Sequence, residues 1–351
     1  MSSSSTSSHT IAWLNNMNVQ FNRYLPWPFL ILGTVGVILN IIIFTRRSLF
    51  INSCTHYLLG NTVANAVVLY WVATTRIFSD GYNIDPSVHS NTFCRLRYFF
   101  TYVPRTLSTW FILLACIDRW ASSVKAQRRF NSVLFARIVI VITTTACFLS
   151  FCNVLIYFGV QKTATSTTCY AIPGPYRFFS DLQYLTFYAL GPPVIMLVFG
   201  LATLRNLRRA RNQVLPHGVQ SNNTNARRDT QLLIMLLMQV ALIIVFTVPF
   251  AGQKLYDTLA LAEIKSPLKT AQNNLCAGIL RILSYGSHAF GFFVYTLSAR
   301  IFRKELLKTI NGVYQRFTGR NLNIAMDAQT CMTQIQTVEM KTVYQTGRLD
   351  A

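Results

Sequence analysis

The chain has 351 residues, 52% of them hydrophobic and only 12% charged, and its 32 Lys and Arg outnumber 11 Asp and Glu for a net charge of +21. A soluble domain carries about a quarter charged residues, so this composition excludes an ordinary water-soluble fold. The positive excess does not point to nucleic acid either, because the basic residues stand in short clusters between apolar runs of membrane-spanning length.

A bilayer core of roughly 30 Å takes about 20 apolar residues per helix, and in lipid the backbone groups must be satisfied within that helix. Residues 1–25 are Ser-rich, with neither a basic segment nor an apolar stretch before the first span. They read as an N-terminal tail, not a cleavable signal peptide, which leaves the first span as its own insertion signal. Seven apolar segments follow, over residues 27–45, 55–78, 92–121, 133–160, 182–204, 231–251 and 275–297. The fold expected is an all-α, seven-helix membrane bundle over residues 26–298, with no internal repeat. Residues 299–310 place Ile301, Phe302, Leu306 and Leu307 on one helical face and Arg303 and Lys304 on the other, as in a short helix lying on a membrane surface. Residues 311–351 form a polar tail, in which Cys331 is a candidate for palmitoylation.

Orientation follows from the basic residues. Arg46 and Arg47 follow the first span; Lys125, Arg128, Arg129 and Arg137 follow the third; Arg205, Arg208, Arg209, Arg211, Arg227 and Arg228 follow the fifth; Arg300, Arg303, Lys304 and Lys308 follow the seventh. All these links share one side, and basic loops stay in the cytoplasm. The opposite links hold Asp80, Asp85, Asp181, Asp257 and Glu263. The N-terminus is therefore expected outside the cell, and the Asn222-Asn223-Thr224 sequon inside and unmodified. Of the eight cysteines, Cys116, Cys147, Cys152 and Cys276 fall inside apolar runs and read as packing residues.

Asp118-Arg119-Trp120 closes the third span at its cytoplasmic end. Cys94 stands 25 residues before Arg119, about 37 Å along a helix at 1.5 Å per residue. Cys169, in the link between spans four and five, can pair with Cys94 because both face the oxidising side.

With these residues in order, the chain resembles the rhodopsin-like (class A) G-protein-coupled receptors over nearly its whole length. Gly36 and Asn40 match the first-helix pattern, Pro192-Pro193 the fifth-helix proline and Pro249 the sixth-helix proline, while Tyr295 and Phe302 match the end of the seventh helix. The stretch from Gly291 to Arg303 is similar to invertebrate FMRFamide-like neuropeptide receptors. The resemblance implies a plasma-membrane receptor that couples an extracellular peptide or small-molecule ligand to a heterotrimeric G protein, without a cofactor or metal. It implies a resting state in which Asp118 and Asp229 hold Arg119, and an active state reached by swinging helix six about Pro249 with Tyr295 as part of the switch. The chain departs from the pattern where Asn65 replaces the helix-two acid, Thr247 the helix-six tryptophan, and Gly291-Phe292 the helix-seven Asn-Pro; helix four has no tryptophan. With Asn65, Ser108 and Gly291 there, no anionic ligand for a sodium ion remains.

Charges inside a membrane span point to function. Arg105 lies 14 residues before Arg119, which at about 100° per residue puts both on nearly one face, shared with Thr101, Ser108 and Ile112. Arg281 stands in the same relation to Tyr295, and Arg76 lies near the outer end of helix two. Three arginines with no acid in the spans nearby are expected to form a cationic pocket for a carboxylate, an acidic peptide or a lipid acid, with Thr101 beside them; the alternatives are that Arg76 snorkels to the outer interface and that Arg281 pairs with an acid in an outer loop. His288 reads as a packed, hydrogen-bonded residue. Amine receptors place an Asp where Thr101 stands, and opsins a lysine where Tyr285 stands, so neither ligand class fits. A chemosensory receptor of the same fold is the nearest alternative. A transporter would show repeat symmetry, and no catalytic residue set or metal-ligand spacing supports an enzyme.

Overall fold

The computed structural model describes residues 2–124, 132–162, 167–212, 223–260, 263, 266–298 and 300–318. Among the described residues, six helices are long and apolar enough to cross a membrane: Ser8–Phe44, Ser53–Gly81, Asn91–Ser123, Val133–Tyr157, Pro175–Arg209 and Thr230–Leu259. The seventh span runs as three consecutive pieces, Pro267–Ser284, Gly286–Ala289 and Gly291–Ser298.

Local chemistry sets where the spans start. Asn52 accepts from the N–H of Cys54 ahead of span two, Ser90 from Phe93 ahead of span three, Ser132 from Phe135 ahead of span four, and Ser266 from Lys269 ahead of span seven. Each satisfies one of the orphan donors of a helix N-terminus. Proline stands in the first turn of the helix Pro26–Phe44, the apolar part of span one, and of span seven, where its missing N–H costs nothing.

The middle of span five is a π-helical segment, Leu185–Leu190. Pro192 and Pro193 follow it and have no N–H to return to the preceding turn. Gly191 closes the widened turn by donating to the Thr186 carbonyl, and a Cβ there would stand 2.2 Å from that oxygen, so only glycine fits. Span two carries two π segments, Val68–Ala73 and Ile77–Gly81. Span seven breaks without any proline. There the Ser287 hydroxyl donates to the Ser284 carbonyl at 3.0 Å, and the Gln239 amide of span six donates to the Ser287 carbonyl at 3.2 Å; side chains replace the lost ladder bonds.

Span three forms the axis of the bundle, with Ile112, Ala115 and Cys116 fully enclosed. Exposed Ile31, Val35, Ile38, Leu134, Val141, Ile142, Leu149, Val194 and Val198 cover the outer faces of spans one, four and five, the surface lipid would contact. Cys152 and Cys276 are likewise exposed, which corrects their assignment to the core; Cys54, Cys116 and Cys147 are buried.

Several boundaries differ from those expected. Residues 1–25 are not an extended tail: Ser2–Tyr24 is helical and packs along spans seven and two. Arg23 Nε donates to the Gly81 carbonyl at 3.0 Å, Arg281 donates to Asn22 at 3.1 Å, and a Cβ on Gly278 would meet Asn18 at 2.6 Å. Span four ends at Tyr157, and Phe158–Lys162 forms a strand, β1, antiparallel to β2, Thr167–Ala171, with Val160 opposite Cys169. Spans five and six extend to Pro175 and Leu259, beyond their apolar runs, because the end turns carry polar side chains that bond to one another. Residues 303–351 make up a second unit; its described part continues the helix Arg300–Thr318 with Arg303, Lys304, Leu307 and Ile310 exposed. Cys331, Asn222 and the side chains of Arg227, Arg228 and Asp229 lie outside the described residues.

A disulfide joins Cys94, in the first turn of span three, to Cys169 of β2, with their Cα atoms 5.7 Å apart. We call this the disulfide end and the opposite one the basic end. Cys94→Ala or Cys169→Ala should cost about 2–5 kcal/mol of stability and sharply reduce surface expression. Cell-surface labelling checks this, and wild-type levels would contradict it.

Candidate functional site

The bundle opens at the disulfide end into a cavity of about 570 Å³, walled by spans two, three, five, six and seven and by the β1–β2 hairpin. Arg105 forms its floor. The side chain is 2% exposed; its Nη1 donates to the hydroxyls of Tyr184 at 3.1 Å and Ser284 at 3.2 Å. Its guanidinium carbon lies 5.2 Å from the Tyr285 ring centroid and 6.0 Å from that of Phe250, a cation–π arrangement. Among the described residues no carboxylate pairs with Arg105, and its Nε has no hydrogen-bond partner. The hydroxyl of Tyr285, also on the cavity wall, is buried without one.

Arg76 and Arg281 also line the cavity, but the expectation of three arginines with no acid nearby is overturned. Asp80 stands 2.6 Å from Arg281 and 3.7 Å from Arg76; Arg76 also donates to Tyr98 at 3.1 Å. The π turns of span two add residues to the helix, so it continues to Gly81 and carries Asp80 inward instead of releasing it into a loop. Thr101 lines the cavity but turns its hydroxyl back to the Arg97 carbonyl at 2.7 Å.

Three further charged groups were not singled out from the sequence. Arg97 pairs with Asp85 at 2.7 Å. Burial alone would raise the Asp85 carboxyl, but hydrogen bonds from Ser87 and the Arg97 charge outweigh it and hold it below the usual carboxylate range. The pair therefore contributes stability at neutral pH that is lost only as pH falls through that lowered value. Lys254 pairs with buried Asp181 at 2.8 Å and donates to Tyr102 at 2.7 Å; Asp181 also accepts from Tyr170 at 2.7 Å and from Thr258. Arg177 lies 4.7 Å from the Tyr170 ring centroid. One signal was available: Lys254 is a lone cation five residues past Pro249, at the outer end of an apolar helix.

Below the floor, a polar cluster joins spans two, three, five and seven. His288 Nδ1 lies 2.8 Å from Asn65 Oδ1, and its Nε2 lies 3.2 Å from the Tyr188 hydroxyl. A carbonyl oxygen at Nδ1 fixes the neutral tautomer with the proton there, so Tyr188 donates to Nε2. The Ser108 hydroxyl contacts Asn61 at 2.8 Å and Asn65 at 2.7 Å, and the Asn61 amide donates to the Tyr295 hydroxyl at 3.2 Å. Asn65 and Ser108 thus bond to His288, while Gly291 faces Gln239.

At the basic end, Asp118 and Arg119 are both buried and 2.5 Å apart. Asp118 accepts from the Ser53 hydroxyl at 2.6 Å, and Arg119 donates to Asn52 at 3.0 Å. Span two thus holds the pair from the side, through two residues the sequence reading did not name. Asp229 lies in the helix of span six, though its side chain falls outside the described residues. Pro249 is inside that same continuous helix. Tyr295 is enclosed by Phe44 and Phe302, with ring centroids at 5.9 and 5.8 Å.

The sequence model of the 7 transmembrane receptor (rhodopsin family) matches residues 36–291 of the chain, which takes in the cavity, the Asp118–Arg119 pair and all of the polar cluster except Tyr295.

His288→Ala removes two buried interhelical hydrogen bonds, each worth about 0.6–2 kcal/mol inside a membrane. The purified protein should unfold at a lower temperature than the wild type in the same detergent. An unchanged midpoint would show that the cluster does not hold the spans together.

Proposed function

The chain belongs to the 7 transmembrane receptor (rhodopsin) family, the G-protein-coupled receptors, and from that membership we propose that it converts binding of an extracellular anionic ligand into activation of a heterotrimeric G protein. The ligand, a peptide or a small molecule, enters at the disulfide end, which faces outward from the plasma membrane; the G protein binds at the basic end.

The observation that carries this reading is Arg105. A cation buried in a bundle core is expensive unless paired, and here the partners are two neutral hydroxyls and two ring faces. An anionic ligand group at its free Nε supplies the missing counter-charge, with the Tyr285 hydroxyl as a second donor. Arg76 and Arg281, shared by Asp80, shape the wall instead of binding the anion.

Arg105 touches Tyr184 of span five and Ser284 of span seven, so an anion that draws the guanidinium toward itself loosens both contacts. Tyr184 packs on Tyr188 with ring centroids 4.9 Å apart, and Tyr188 bonds to His288. The shift favours a packing in which span six pivots at Pro249 and Arg119 leaves Asp118 and Asn52, opening the basic end to the G protein. This is a change in population between two arrangements.

A screen of peptides and organic acids, read out as nucleotide exchange on a G protein, supplies the agonist. Arg105→Gln should then leave surface expression intact and lose a charged hydrogen bond of about 1.5–3 kcal/mol, on the order of 10- to 100-fold in half-maximal agonist concentration. An unchanged dose response would make Arg105 a structural residue.

A further inference from the structure

We propose that the ligand carries two anionic groups, one on Arg105 at the cavity floor and one on Arg177 at its rim. The proposal rests on the receptor reading above and adds the ligand's charge pattern to it.

Charge accounting within the cavity carries the inference. Six basic side chains line it: Arg76, Arg97, Arg105, Arg177, Lys254 and Arg281. Four of them have carboxylate partners: Asp80 serves Arg76 and Arg281, Asp85 serves Arg97, and Asp181 serves Lys254. Asp257, the other acid on the wall, accepts from the amides of Gln253 and Asn273. Arg105 and Arg177 are left. Among the described residues neither has a carboxylate, and the Nε of each is buried without a hydrogen-bond acceptor.

The case of Arg177 is informative because an acid stands one helical turn after it. That acid is Asp181, yet both of its oxygens are occupied, Oδ1 by Lys254 and Tyr170 and Oδ2 by Thr258. Arg177 lies instead across the Tyr170 ring. A guanidinium presents paired donors that match a carboxylate in its own plane, so each unpaired arginine is a ready seat for one.

Both seats adjoin span five: Arg105 meets the hydroxyl of Tyr184, which stands seven positions after Arg177 on the helix Pro175–Tyr184, a backbone offset of about 10 Å at 1.5 Å per residue. Tyr102, Tyr170, Tyr184 and Phe250 line the same cavity, the first three beside the Lys254 ammonium, so the wall a connector would pack against is largely aromatic. The ligand is thus a dianion with a hydrophobic middle: a dicarboxylic acid, or an acidic peptide whose terminal carboxylate and one Asp or Glu side chain supply the two charges.

The test uses full-length receptor in nanodiscs and measures binding of two matched pairs. One pair is nonanedioate against nonanoate; the other is the peptide N-acetyl-Glu-Ala-Ala-Phe as free acid against its C-terminal amide. The dianion of at least one pair should bind about tenfold or more tighter than its monoanion, one charged contact's worth, and the pair that shows the preference identifies the source. Arg177→Gln should bring the dianion down to the monoanion's affinity, Arg177→Lys should retain the preference, and Arg105→Gln should weaken both members. The proposal is overturned if neither dianion binds measurably, if no pair shows a preference, or if Arg177→Gln lowers both members equally. Should Arg105→Gln weaken the monoanion while Arg177 proves indifferent, only the second charge is wrong. Should Arg105→Gln change nothing, the anionic-ligand reading beneath it fails as well.

Discussion

A guanidinium set into the middle of a membrane bundle, with no counter-charge among the described residues, is the constraint around which this molecule is organised. Lipid offers nothing to a buried cation, so the bundle must surround Arg105 with whatever polar surface it has. It does so with hydroxyls and ring faces from spans five, six and seven. Those contacts fix where the spans approach span three, and they leave one donor, Nε, buried without an acceptor. Other charges at the same end are treated differently: Asp80, Asp85 and Asp181 neutralise their neighbours and stitch the wall together. The contrast between paired and unpaired cations separates scaffold from binding site more sharply than burial does.

Charge also organises the opposite end, with reversed logic. Arg119 is saturated by Asp118 and Asn52, a closed arrangement that must be broken to act. Between the two ends runs a continuous series of contacts through Tyr184, Tyr188, His288, Asn65, Ser108, Asn61 and Tyr295. Because a half-satisfied polar network in low dielectric is costly, such a series favours discrete arrangements over gradual deformation. His288 occupies its centre and bonds to spans two and five at once.

Much of the fold was legible because lipid acts on composition directly: each span shows as an apolar run, and the basic clusters fix their common side. The Cys94 and Arg119 positions were legible because both lie on one helix of known rise. Side-chain partners were less so. Asp80 looked like a loop residue because the apolar run of span two stops at Phe78, whereas the π segments carry the helix to Gly81 and turn Asp80 toward Arg281. The helix Ser2–Tyr24 was hidden because its Ser-rich stretch lacks an apolar stripe, and its docking relies on Asn18, Asn22 and the bare backbone of Gly278. Arg177 and Asp181 were hidden because their turn of span five is polar and aromatic, outside the hydrophobic window.

The most direct measurement is an electron-microscopy structure of the agonist-bound receptor with its G protein. The account predicts an anionic group of the agonist within hydrogen-bonding distance of Arg105 Nε, and Arg119 withdrawn from Asp118. An agonist whose anion sits elsewhere, or an Arg105 neutralised by one of the protein's own carboxylates, would contradict it.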